Sequence, residues 1–173
     1  MTLALLLALA FPMAAPQQAS LAFNMPAGWV GQKPSSSMRV ADFTLPKTGA
    51  DTEDATVTVY YFGGTGGTVQ ANLDRWIGQM TQPDGRPSKD VAKTSAMTSL
   101  NGLKITLIDL PGTYVAEVRP GSTDRFNKPG FRLKAAVVET RTGPHFIKFV
   151  GPAATVAKWD ASFQRFLSEL GEK

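Results

Sequence analysis

Two successive hairpin signals constrain the fold of this chain more than any other feature. "VAKTSAMTSL" runs into Asn101-Gly102 and back out through "LKITLIDL". Asn-Gly is the pair that best tolerates the positive φ angles of a two-residue turn. "RLKAAVVET", the turn Arg141–Gly143 and "PHFIKFVG" repeat the arrangement. Hairpins join antiparallel neighbours, so a sheet built from them is largely antiparallel.

Earlier in the chain, "TVTVYYF" alternates Val57, Val59 and Tyr61 against Thr56, Thr58 and Tyr60, with β-branched and aromatic enrichment. "SMRVADFTLP" places Arg39, Ala41, Phe43 and Leu45 on one face, and Leu21 and Phe23 alternate before the Pro26–Gly28 turn. Two segments carry a helical period instead. Val69, Leu73, Trp76, Ile77 and Met80 form one stripe behind a Thr68 N-cap. Val156, Trp159, Phe163, Phe166, Leu167 and Leu170 form the other. The expected order is β-β-β-α-β-β-β-β-α, an α+β fold with two amphipathic helices packed on one or both faces of the sheet. The repeated βαβ crossovers of a Rossmann fold are absent. Between the hairpins, residues 112–131 hold prolines and glycines and read as a long excursion.

The opening "F-x-x-P-x-G-W" (Phe23, Pro26, Gly28, Trp29), the antiparallel sheet and the closing "ASFQRFLSEL" resemble the PsbP-like/Mog-type α/β/α sandwich. That group holds extrinsic photosystem subunits, a Ran-binding import factor and many exported bacterial proteins. "SSSMRVADFTLP", "VYYFGGTGG", "ANLDRW" and "GPHFIKFVGP" are similar to an uncharacterised bacterial secreted family within it. The resemblance implies the fold and export; it carries over no site residue.

Export is also read from the N-terminus. Leu3 to Ala15, "LALLLALAFPMAA", has the apolar run and small residues of a secretory signal, with cuts at Ala10, Ala14 or Ala19. It is shorter than the roughly 20 residues of a membrane span. No basic residue precedes it, which suggests a start further upstream; a buried N-terminal helix is the competing reading. Residues 1–19 are thus assigned as a signal peptide or its remnant, and 20–173 as a single domain without a membrane span. The expected location is periplasmic or secreted.

Composition narrows the chemistry. With 43% hydrophobic and 18% charged residues the chain suits one folded core, and the absence of cysteine removes disulfides, thiolate nucleophiles and zinc-thiolate sites. One histidine and no cysteine leave no ligand set for zinc or iron, and the acidic "DTEDATV" lacks the EF-hand spacing, so it reads as a solvated turn. Residues 1–86 sum to −1 and residues 87–173 to +5, which gives the net +4, and the basic residues stand singly without interleaved aromatics. That reads as solvated surface rather than a nucleic-acid platform.

The sharpest motif is "FGGTGGT", Phe62 to Thr68, between a strand and a helix. A helix N-terminus offers free N–H groups, so Gly66, Gly67 and Thr68, with Arg75 nearby, form a candidate anion site. The lysine of a P-loop and the spacing of a dinucleotide loop are both missing, so nucleotide binding is set aside and no cofactor is expected. The bland alternative is a glycine-rich hinge. His145 has no nucleophile at a strained turn to serve and reads as a packed histidine. Asp109, Glu117 and Glu139 lie in or near strands; Glu139, after "AAVV", is the first carboxylate to inspect for a raised pKa, with His145 beside it as a candidate for a perturbed one, and a strand-end carboxylate paired with Arg or Lys is the competing reading. Trp29, Trp76 and Trp159 read as core anchors, and Arg75 as a partner for a sheet-edge carboxylate or an anion.

These features favour an exported, non-catalytic binding protein whose partner is a protein, an envelope component or a small anionic ligand. The alternative is a hydrolase using carboxylates near the 112–131 loop.

Overall fold

The computed structural model of the protein describes residues 21–173; the expected signal segment, residues 1–19, lies outside the described residues. Among these, the strands are β1 (Leu21–Ala22), β2 (Val30–Gln32), β3 (Arg39–Leu45), β4 (Ala55–Tyr61), β5 (Met80–Thr81), β6 (Lys93–Thr98), β7 (Lys104–Tyr114), β8 (Lys128–Val138), β9 (His145–Pro152) and β10 (Gly171–Glu172). The α-helices are α1 (Val69–Ile77) and α2 (Ala153–Ser168). One antiparallel sheet runs β2-β3-β4-β9-β8-β7, continued by β5 and by β6, both of which pair with β7. β1 and β10 pair separately.

Alternation along the central strands sends side chains to two cores. Val57, Val59, Ala136, Val138, Ile147 and Phe149 pack under Val156, Phe163, Phe166 and Leu167 of α2. Ile108, Leu110, Leu133, Ala135, Val137 and Phe146 pack under Leu73 and Trp76 of α1. The helices therefore cover opposite faces of the sheet, and the architecture is α+β with helix layers on both sides. No described helix is long and apolar enough to cross a membrane.

Several sequence expectations are corrected in detail. The long excursion is shorter than 112–131, because β7 extends to Tyr114 and β8 begins at Lys128. Helix α1 ends at Ile77 with Gly78 as its cap, so Met80 is buried from β5 rather than from the helical stripe. The β6–β7 turn holds Leu100, Asn101 and Gly102, closed by Ser99 N–H to Leu103 O at 2.9 Å, with positive φ only at Gly102. Asn101 turns its amide to the end of α2, donating to Leu170 O at 3.1 Å. A register shift between Arg39 and Ala41 turns Arg39 away from the α2 core, and its guanidinium lies over the Tyr60 ring, 5.5 Å from the centroid. The three-residue β2 and the two-residue β5 and β10 had no alternation long enough to read.

The acidic turn is structural. Asp51 Oδ2 accepts from Thr155 N at 2.8 Å and from Thr155 Oγ1 at 2.6 Å, capping the first turn of α2. Asp54 accepts from Lys47 N at 2.8 Å, and Glu53 pairs with Lys128. Trp29 and Trp76 are buried; Trp159 is partly buried and donates to Pro46 O at 2.9 Å.

Candidate functional site

Helix α1 has nine residues, so it spans only about 14 Å at 1.5 Å per residue. It covers the β7–β8 side of its sheet face and leaves β3, β4 and part of β9 open. That open strip is the floor of a groove of about 940 Å³. Thr44, Thr56, Thr58, Tyr60 and Lys148 line it from the strands, and Arg75 and Gln79 from the end of α1. Ala116, Val118 and Phe126 line it from the β7–β8 excursion, and Met38 from the approach to β3.

Lys148 is the residue this geometry singles out. Its neighbours Ile147 and Phe149 point into the α2 core, so strand alternation sends Lys148 to the groove face, between register partners Thr58 and Ala135. Its Nζ donates to Gln79 Oε1 and to Tyr114 Oη, both at 2.7 Å. No carboxylate among the described residues lies within ion-pair distance of it. Burial pushes its pKa down to about 7, and the nearby charges of Arg75 and Arg39 push the same way. Burial likewise raises Tyr114 to about 12, so its hydroxyl stays protonated.

The other charged groups of the groove are mostly matched. Arg39 binds Asp42 at 2.9 Å, and Arg125 lies 3.6 Å from Glu117, which also accepts from Gly121 N at 2.9 Å. Arg75 donates to Asn72 Oδ1 at 2.6 Å, a neutral partner. The expected carboxylate partner for Arg75 is replaced by this amide. Among the described residues, four cations thus face two carboxylates across the groove, and Arg75 and Lys148 are the two without an acidic partner.

Gly66, Gly67 and Thr68 do not line this groove, and Arg75 reaches the loop only through Asn72. Thr68 caps α1 by accepting from Ala71 N at 3.1 Å. Asn72 donates to both Gly66 O and Thr68 O at 2.8 Å. Gly66 lies against Phe146, where an added Cβ would sit 2.3 Å from the ring. Gly64 packs on the β8–β9 turn, close enough that a Cβ on Gly143 would meet its Cα at 2.6 Å. Close approach thus accounts for Gly64 and Gly66. Gly66→Ala is expected to destabilise the fold by about 1–3 kcal/mol through overpacking against a fully buried ring. Urea unfolding measures this, and Phe146→Leu in the same chain should relieve most of the cost.

The remaining candidates lie elsewhere. His145 is fully buried and stacks on Tyr61 with ring centroids 4.5 Å apart. Its Nδ1 is 3.4 Å from Thr140 Oγ1, and its Nε2 has no partner. Burial lowers its pKa, only partly offset by the Gly143 backbone and the Glu172 charge, so the ring is neutral at physiological pH. It sits as a packed histidine outside the groove. Glu139 is exposed at the end of β8, where the strand pairing ends at Val138, and does not line the groove either. Asp109 binds Arg132 at 2.5 and 2.7 Å on the α2 face. Of Asp109, Glu117 and Glu139, Glu117 reaches the groove. No group of three or more metal-ligating side chains gathers among the described residues.

Sequence reasoning missed Lys148. The signal was present in "HFIKFV": a lysine within an apolar strand whose partner strands are also apolar.

Neither a protein-family model nor a curated protein sequence matches the chain. Similar solved structures include a protein of unknown function from Pseudomonas aeruginosa, at 12% identity and TM-score 0.49, covering 82% of this chain and 95% of that one. They also include the solution structure of cyanobacterial PsbP from Synechocystis, at 12% identity and TM-score 0.48, covering 96% of this chain and 99% of that one.

Proposed function

We propose that the protein is an exported, non-catalytic binding protein that holds a small anionic ligand in the groove beside α1. The observation carrying this reading is Lys148: an enclosed amine, open on one side to the groove, with hydrogen-bond partners but no counter-ion. Enclosing such a cation is costly, and an anion entering the groove supplies the missing charge. Arg75, held at the rim by a neutral amide, adds a second attractive centre. The groove's volume of about 940 Å³ suits a small molecule. Its two carboxylates, Asp42 and Glu117, are each engaged by an arginine. Export rests on the signal-like Leu3 to Ala15 segment.

NMR titration with millimolar acetate or sulfate tests the binding site. The backbone amide signals of Arg75, Gln79, Tyr114 and Lys148 should shift, and Lys148→Gln should suppress the shifts. Changes confined to Gly66, Gly67 and Thr68 would move the anion to the glycine loop and refute the groove.

A further inference from the structure

The groove is larger than an inorganic ion needs. The amine of Lys148 and the guanidinium of Arg75 lie toward the floor and the end of α1. The β7–β8 excursion contributes Val118 and Phe126 beside the paired Glu117 and Arg125, and Met38 lines the groove from before β3; Met38 and Val118 are 50% and 44% exposed. Phe126 stacks on Tyr114, whose hydroxyl receives the Lys148 hydrogen bond, so this apolar lining and the amine adjoin. We propose that the ligand is an organic monocarboxylate with an apolar body, its carboxylate held between Lys148 and Arg75. This deepens the anion-binding reading and rests on it.

The donors left without an acidic partner suit a carboxylate. Arg39 is neutralised by Asp42 and Arg125 by Glu117, which leaves Arg75 as the one permanent charge in the groove without an acidic partner among the described residues. A planar guanidinium fork matches a carboxylate in a bidentate pair. An ammonium has three donors, and Gln79 and Tyr114 take two of those on Lys148. The third is left for a ligand oxygen.

Proton uptake follows from what faces the amine. Arg39 and Asp42 come from β3, Thr58 and Tyr60 from β4, Arg75 and Gln79 from α1 and its end, and Tyr114 from β7; Ala135 is the neighbour on β8. Glu117 and Arg125 face the same space from the β7–β8 excursion. Burial and then the charges of Arg75 and Arg39 favour the neutral amine, which titrates at about 7. A carboxylate seated there reverses the local field and favours the ammonium. Affinity should therefore fall as pH rises above that value.

Isothermal titration of the protein with 3-phenylpropionate, its amide and sulfate tests the proposal. The titrations are run about one pH unit above neutrality in two buffers of different ionisation heat. The carboxylate should bind at least about tenfold more tightly than either control. Its heat should depend on the buffer in the sense of proton uptake, and Lys148→Gln should abolish that dependence. Carboxylate binding without proton uptake overturns the inference, as does an amide or sulfate that binds equally well; sulfate binding in the groove would leave the anion-binding reading intact. If neither anion binds at millimolar concentration, both fail.

Discussion

Lys148→Met is expected to make the protein more stable, by about 2 kcal/mol near neutral pH, while abolishing anion binding. The lysine's pKa is about 7 in the folded chain against 10.5 when unfolded. That difference corresponds to a cost on the order of 4 kcal/mol at and below neutrality. The methionine loses the hydrogen bonds to Gln79 and Tyr114, which offsets about 2 kcal/mol of the gain. The sign follows from proton counting. Between 10.5 and about 7 the unfolded chain holds a proton that the native lysine has shed. Wild-type stability therefore falls as pH falls through that window and is level below it. The advantage of the methionine variant should be greatest at and below neutrality and shrink in alkaline solution. Urea unfolding across that range measures it. A variant less stable than wild type at neutral pH would make Lys148 a structural strut and remove the main support for a ligand site.

The other face of the sheet predicts the opposite response. Lys134 is buried under α2, where it pairs with Asp160 and lies 3.7 Å from Asp109. Asp109→Asn with Asp160→Asn would leave that ammonium enclosed without a carboxylate, and the double variant should lose about 3–5 kcal/mol. Adding Lys134→Met should recover most of the loss, since an apolar side chain needs no partner there. If the triple variant stays as unstable as the double, the cost lies in the lost Arg132–Asp109 pair instead. The network also gives an acid limit. Burial alone would raise the Asp109 pKa, but the hydrogen bond from Arg132 and the charges of Lys134 and Arg132 outweigh it and hold it low. Its contribution is present above the ordinary aspartate range and disappears as pH falls through the lowered value.

The two lysines show what separates a strut from a site. Both stand in central strands among apolar neighbours, Lys134 in "RLKAAVV" and Lys148 in "HFIKFV". Alternation sends each to a definite face of the sheet, but not to a known neighbour. On the α2 side a sixteen-residue helix brings Asp160 over Lys134. On the α1 side a nine-residue helix stops short, and Lys148 meets Gln79, Tyr114 and open space.

The glycine loop is a similar case. "FGGTGGT" announces a strand-to-helix connection, and Thr68 is indeed the cap of α1. Why Gly66 must be glycine is decided by Phe146, a residue 80 positions away. Arg39 was placed on the wrong face because a register shift between Arg39 and Ala41 interrupts the alternation.

By itself, the sequence determined the antiparallel sheet, both helices and their apolar faces, because these depend on periods and turn residues that act over a few positions. It also limited the chemistry through one histidine and no cysteine. Tertiary structure decided which lysine is paired, which glycine is crowded, where the excursion becomes strand, and that a short helix leaves a groove. These depend on contacts between distant segments, whose desolvation and charge no local pattern encodes.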